Sequence, residues 1–332
     1  MKHFFSLSWL SAALLVTTNV SATDYPLTIE NCGYTHTYQQ APASTVTIGQ
    51  AATEILYALK LEDKVKGTSV WFNEVQPKYQ DINANIPRLA DNDPSFESVL
   101  AKRPELVTVQ YEWHVGPQGI VATREMFHDV NVPTYILPTD CDAKDNSVGL
   151  DGTRLDQFST ASLYKSIDQL ADIFDVSERG DGLVASLQDR ESDAIARAKA
   201  AGSQGKTALY WFSSAAMDID PYVAGQKGAA GYQMKILGLE NIVQSDEEWP
   251  TVGWETIAKA NPDILVLAEM NRRRFPADDV EKKLEFLRSD PVTKEMDAVK
   301  NNHIVIMDAL EMDATIRIID GLEKLTKGIE QL

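Results

Sequence analysis

One stretch occurs twice in this chain, and it constrains the fold more than any other feature. The first copy runs Pro94-Ser95-Phe96-Glu97-Ser98-Val99-Leu100-Ala101-Lys102-Arg103-Pro104-Glu105-Leu106-Val107. The second runs Val252-Gly253-Trp254-Glu255-Thr256-Ile257-Ala258-Lys259-Ala260-Asn261-Pro262-Asp263-Ile264-Leu265. In both, an aromatic residue precedes the glutamate, and an acid and then an apolar run follow the proline. Phe96, Val99 and Leu100 share one helical face, as do Trp254, Ile257 and Ala258. Asp93 and Thr251 are the expected N-caps, because a short polar side chain accepts from the first free helix N–H groups. Each helix must stop before its proline, which lacks an N–H and disfavours α geometry behind it. The apolar runs that follow are expected to be buried parallel strands. One helix–proline–strand unit in each half predicts two similar α/β lobes.

The rest of the chain extends this pattern. Residues 46–49, a helix over 52–61 and a strand over 65–70 alternate as β-α-β, which favours a parallel sheet. A helix over 124–130 and a strand over 134–137 close the first lobe. Residues 140–156 hold little apolar matter, and the lobe boundary is placed there. Leu163, Ile167, Leu170, Ile173 and Phe174 recur at helical spacing. They predict one long helix linking the lobes. The second lobe opens with a strand over 207–212 and closes with a helix over 316–329. The expected organisation is an export signal over residues 1–22, an N-terminal lobe over 23–156, a linking helix over 157–178 and a C-terminal lobe over 179–332. A helical link predicts a stiff hinge and modest closure.

At 332 residues the chain is long enough to bury a large core. Its formal charge of −18 argues against a nucleic-acid partner, which needs a basic stripe. Lys2, the apolar residues 4–16 and Val20-Ser21-Ala22 form a secretory signal with a small-residue cleavage site. Cleavage after Ala22 is expected. No cysteine stands at that point for lipidation, so a soluble exported protein is the reading. Cys32 and Cys141 are the two cysteines. In an oxidising compartment a structural disulfide between them is expected, holding the N-terminal segment to the first lobe. Two free buried thiols are the alternative.

In open parallel sheets, ligands sit beyond the carboxyl ends of the strands. Residues expected there include Trp71, Tyr111, Trp113, His114, Trp211 and Tyr222. Arg272, Arg273, Arg274, Met312 and Arg317 join them. Aromatic rings offer flat apolar walls, and arginines offer planar donors for carboxylates or phenolates. Two lobes lined this way suit a bulky, anionic, partly aromatic ligand. Three successive arginines cannot all point one way, so at most two are expected in a cleft. Core packing competes for the tryptophans, and Trp249 and Trp254 are assigned to it. Glu97 and Glu255 also have a plain explanation, since an acid in a first helical turn complements the macrodipole. No Gly-x-Ser-x-Gly, His-Glu-x-x-His or phosphate-binding glycine loop is present. No enzyme activity and no cofactor are therefore expected. Glu112, His114 and Glu269 are weak candidates for binding a bare metal ion.

With its export signal, two lobes, linking helix and paired glutamate motifs, the chain resembles the periplasmic substrate-binding proteins of ABC importers. More narrowly, it is similar to the helix-linked class that carries ferric siderophores, haem and cobalamin. The resemblance rests on Phe96-Glu97-Ser98-Val99 through Pro104-Glu105-Leu106-Val107. It rests equally on Glu248-Trp249-Pro250 through Trp254-Glu255 to Pro262-Asp263-Ile264-Leu265. It implies a periplasmic protein that binds a small-molecule iron chelate between its lobes. It also implies that Glu97 and Glu255 dock on arginines of an ABC permease in the inner membrane. A ferric siderophore suits the arginines and aromatics best. Haem, with Tyr111 or His114 as axial ligand, remains open, as do cobalamin and a bare metal ion. A sensor that docks on a receptor is the competing class. No sequence feature calls for a second copy, so a monomer is expected.

Overall fold

The computed structural model describes residues 22–147 and 152–332. The expected export signal, apart from Ala22, lies outside them. Among the described residues, no helix is long and apolar enough to cross a membrane.

The N-terminal lobe is built on five parallel strands. In spatial order they are Arg88–Ala90, Val65–Ser69, Thr45–Ile48, Leu106–Val109 and Thr134–Ile136. Every residue of the three strands Thr45–Ile48, Leu106–Val109 and Thr134–Ile136 is buried. Burial on both faces explains why they are continuous apolar and threonine runs rather than alternating ones. The C-terminal lobe places Tyr222–Val223, Thr207–Ser213, Ile264–Glu269 and Ile304–Asp308 in that order. Its three longer strands are parallel, and Tyr222–Val223 runs antiparallel at one side.

The repeated unit folds as a helix and a strand in each lobe, as expected. Phe96–Leu100 and Trp254–Ala260 are helices, each with its glutamate exposed in the first turn. Trp254 packs edge-on against Trp211, and Phe96 against Phe127. The acid after each proline caps the neighbouring strand. Glu105 accepts the Ala43 N–H at 2.9 Å, and Asp263 accepts the Thr207 N–H at 2.7 Å. The N-caps differ from expectation. Ser95 accepts the Ser98 N–H at 3.1 Å, and Gly253 stands at the second helix start. Asp93 and Thr251 lie two residues too early; Asp93 turns to His114, and Thr251 bridges to Tyr222.

Two antiparallel helices cross between the lobes. Thr160–Ile173 begins against the C-terminal lobe, where the Phe158 N–H donates to Lys227 O at 2.9 Å. It ends at the N-terminal segment, where Ile173 O accepts from the Tyr25 hydroxyl at 2.8 Å. Ser177–Ala200 runs back, and its 24 residues span ~36 Å. Arg179 donates to Leu59 O at its start, while Arg190 pairs with Asp320 and Glu323 of the final helix Ile318–Ile329. The two crossing helices touch at Gly180, where a Cβ would stand 2.5 Å from that of Ala171. Glu191 ties them, accepting from Thr160 at 3.1 Å and from the Tyr164 and Tyr232 hydroxyls at 2.6 Å. Leu163, Ile167 and Leu170 are fully buried here in one core shared by both lobes. Burial of this kind contributes about 1.5–3 kcal/mol per side chain.

A hairpin, Leu27–Asn31 with Tyr34–Tyr38, covers one side of the N-terminal lobe. Cys32 in its turn is disulfide-bonded to Cys141. Beside the bond, the buried guanidinium of Arg124 has no carboxylate partner within ion-pair distance among the described residues. It donates to Asn31 O, Asn31 Oδ1, Thr134 Oγ1 and Thr134 O at 3.0–3.1 Å. The hairpin is thus fixed by a covalent bond and by a buried hydrogen-bonded cation together.

Candidate ligand-binding cleft

A cleft of about 600 Å³ opens between the lobes at the carboxyl ends of both sheets. The N-terminal wall follows strand by strand. Val70 and Phe72 come after Val65–Ser69, Asn92 and Asp93 after Arg88–Ala90, and Gln110, Tyr111, Trp113 and His114 after Leu106–Val109. Gly49 makes this wall possible. Its φ of 129° suits glycine alone, and a Cβ there would stand 2.2 Å from that of Gln110. Gln50 Oε1 accepts the N–H groups of Phe72 and Asn73, fixing the aromatic loop. Tyr111 and Trp113 stack with ring centroids 4.2 Å apart and planes 7° from parallel.

The C-terminal wall carries Phe212, Ser213, Tyr222, Trp249, Arg272, Arg274 and Phe275. Asp278 organises its loop. Its carboxylate accepts the N–H groups of Arg274 and Phe275 at 2.7 and 2.8 Å, and the Ser213 hydroxyl at 2.6 Å. Across the cleft mouth, Arg272 lies 4.2 Å from the centroid of the Phe72 ring and donates to Asn92 Oδ1 at 2.9 Å. Asn73 Oδ1 accepts the Asn271 N–H, so this loop is tied to the opposite lobe.

The charges divide into committed and uncommitted groups. Lys144 pairs with Asp140 at 2.6 Å, and Arg154 with Glu248 at 3.2 Å, all four nearly enclosed. Burial raises the Asp140 carboxyl, with Lys144 opposing the shift. Asp313 is pushed up to about 6 by burial and by the charge of Glu248, and it accepts the Tyr111 hydroxyl at 3.0 Å. His114 Nε2 lies 2.9 Å from Asp93, a bond that lowers the Asp93 carboxyl. Among the described residues, neither Arg272 nor Arg274 forms an ion pair.

The cleft therefore gathers Tyr111, Trp113, His114, Tyr222, Arg272 and Arg274 from the expected residues. It does not gather Trp71, Trp211, Arg273, Met312 or Arg317. Val70 has a left-handed φ of 59°, which breaks strand alternation and leaves Trp71 in the core, its Nε1–H donating to Thr68 Oγ1. The strand Thr207–Ser213 continues past Trp211, so that ring is interior and Phe212 faces the cleft. Arg273 turns to Asp278 O and Asp279. Met312 is fully buried. Arg317 is held bidentately by Glu54 of the other lobe and at 2.7 Å by Asp308.

Other lining residues escaped the sequence reading. Trp249 was assigned to the core, although it stands in the second motif beside Glu248. Lys144 and Arg154 lay in the stretch treated as a boundary. Of the weak metal candidates, Glu112 accepts from Asn146, and Glu269 is exposed at its strand end. Among the described residues, no group of three or more His, Cys, Asp or Glu is arranged to hold a metal ion.

Known proteins share this architecture. A family model described as periplasmic binding protein matches residues 46–310. The chain is 24% identical over 307 residues to YvrC of Bacillus subtilis (strain 168), an uncharacterized ABC transporter substrate-binding lipoprotein. That match covers 92% of this chain and 86% of YvrC. A periplasmic binding protein from Veillonella parvula superposes with a TM-score of 0.75 at 22% identity, covering 92% of this chain and 98% of that one. A protein of an ABC-type Fe3+-hydroxamate transport system from Saccharomonospora viridis gives 0.70 at 23% identity, covering 92% and 99%. The chain belongs to the periplasmic binding protein family.

Proposed function

We propose that the protein captures an anionic ferric chelate of the siderophore type and delivers it to an ABC permease. The observation that carries this reading is the pair Arg272 and Arg274, neither in an ion pair among the described residues, set among Phe72, Tyr111, Trp113, Phe212 and Trp249. A planar cation in an enclosed aromatic site favours a bulky anion with flat rings. Two further features weigh against haem ligated by the protein. The Tyr111 hydroxyl is engaged by Asp313, and His114 Nε2 by Asp93. Transport in a superposable iron-hydroxamate system adds support. Glu97 and Glu255, exposed on matching helices, are the proposed contacts to basic residues of the permease.

Fluorescence titration tests the ligand. Trp113 and Trp249 are the reporters, because they line the cleft. The panel is ferric catecholate, hydroxamate and carboxylate siderophores, haemin, cobalamin, and free iron, zinc and manganese. Saturable quenching by one ferric chelate, and none by its iron-free form, is expected. Arg274→Ala should weaken that chelate more than about tenfold, or ~1.4 kcal/mol. Binding of haemin or cobalamin instead, or an unchanged dissociation constant in the variant, overturns the reading.

A further inference from the structure

Helix Val280–Ser289 buries Val280, Lys283, Leu284 and Leu287 on one face. Three of these are apolar, as a core-facing stripe requires. The fourth is a lysine with no exposed surface. An ammonium in such a place carries a large desolvation cost that a methionine would avoid. The surroundings show what offsets it. Lys283 Nζ donates to Phe212 O and Ala268 O at 2.7 Å each, with Trp211 O at 3.4 Å. These carbonyls lie near the carboxyl ends of the adjacent strands Thr207–Ser213 and Ile264–Glu269. An ammonium has three N–H groups for three carbonyls. A neutral amine would turn its lone pair toward one of them.

What these strand ends carry is the C-terminal wall of the cleft. Phe212 and Ser213 line it directly, and Met270 follows Ala268 by two residues. Asp278 binds Ser213 and the N–H groups of Arg274 and Phe275, so the arginine loop hangs on the same frame. We propose that Lys283 is a positioning residue for ligand binding, whose ammonium clasps the two strand ends and so fixes the cleft wall and, through Asp278, the Arg272–Arg274 loop. For the anionic ligand this rests on the function proposed above; the clasp itself does not.

The clasp has a consequence in pH. Burial lowers Lys283 to about 7, with Asp278 opposing the shift and Arg273 adding to it. A bound anion favours the charged form, so loading takes up a proton above that pH. Affinity should therefore fall as pH rises through the window, the charged clasp being present below it and lost above it.

The test compares wild type with Lys283→Met, which matches the stem without the charge, and with Ser213→Ala as a milder second variant. Hydrogen–deuterium exchange of the ligand-free protein comes first. Residues 268–279 should exchange about tenfold faster in Lys283→Met, with the N-terminal sheet unchanged. Ser213→Ala should show a smaller effect in the same segment. The second arm titrates an anionic iron(III) tricatecholate chelate between about pH 6.5 and about pH 8.5. Wild-type affinity should decline across that range, and the Lys283→Met affinity should be lower and decline less steeply, by the part that Asp313 alone contributes. Unchanged exchange at 268–279 in both variants overturns the clasp, and so does a pH slope as steep in Lys283→Met as in wild type. If wild type binds no ferric chelate but exchange changes as expected, the ligand reading falls and the clasp stands.

Discussion

In the first copy of the repeat the helix Phe96–Leu100 is capped by Ser95, and the chain turns into its proline through Arg103. In the second, Trp254–Ala260 starts at Gly253 without a side-chain cap and turns through Asn261. Arg103 and Asn261 sit at the same place, with φ of 49° and 48°. The outward features stay alike: an exposed glutamate, an aromatic anchor, and an acid that caps the next strand. The inward features do not. The first lobe brings stacked rings and a His–Asp pair to the cleft, and it alone carries a disulfide-bonded hairpin. The second brings arginines on a loop held by Asp278. Under the proposed function, the features that stay alike would face the permease and those that differ would face the ligand.

The largest effect should come from the shared face. Glu97→Ala with Glu255→Ala is expected to abolish uptake in cells while leaving chelate affinity of the purified protein intact. Uptake near wild type would break the likeness of the two rims, and loss of binding would place these residues in the cleft. The hairpin provides a test on one side only. Cys32→Ser with Cys141→Ser opens a loop of 109 residues and should cost about 2–5 kcal/mol in denaturant unfolding. Hydrogen exchange should rise more in residues 27–38 and 134–141, through local opening, than in Thr207–Ser213, which follows only the global loss of stability. Equal loosening of both lobes would contradict the division drawn here. The smallest effect lies at the turns. Left-handed geometry costs an ordinary side chain roughly 1–2 kcal/mol, and asparagine less. Arg103→Asn should therefore raise stability by about 1 kcal/mol. Asn261→Arg should lower it, losing also the two bonds Asn261 makes with Asp297. Calorimetry of the two variants checks both signs.

Much of this was legible in the sequence because it is local. Helical spacing before Pro104 and Pro262, and apolar runs after them, place both units, both sheets and the exposed positions of Glu97 and Glu255. What escaped was decided by single backbone angles or distant partners. Trp71 and Phe72 exchange roles because Val70 adopts a positive φ, which no residue type announces when it is valine. Trp211 and Phe212 exchange roles because the strand runs one residue further than expected. Lys144, Arg154 and Arg317 look alike as isolated cations. Only the fold shows that Asp140, Glu248 and Glu54 occupy them, while Arg272 and Arg274 form no ion pair among the described residues. Asp93, an expected helix cap, is drawn to His114, 21 residues away.

The bridge from Arg317 to Glu54 also bears on how the chain unfolds. Both groups are nearly enclosed, and each belongs to a different lobe. Without the C-terminal lobe Glu54 would lose its cation, whereas Arg317 would keep Asp308 of its own lobe; breaking a buried pair on one side costs roughly 3–5 kcal/mol. That loss is comparable with much of the net stability of an ordinary domain. The repeated unit is the lobe, but the cooperative unit is the pair, and the chain should melt in a single transition.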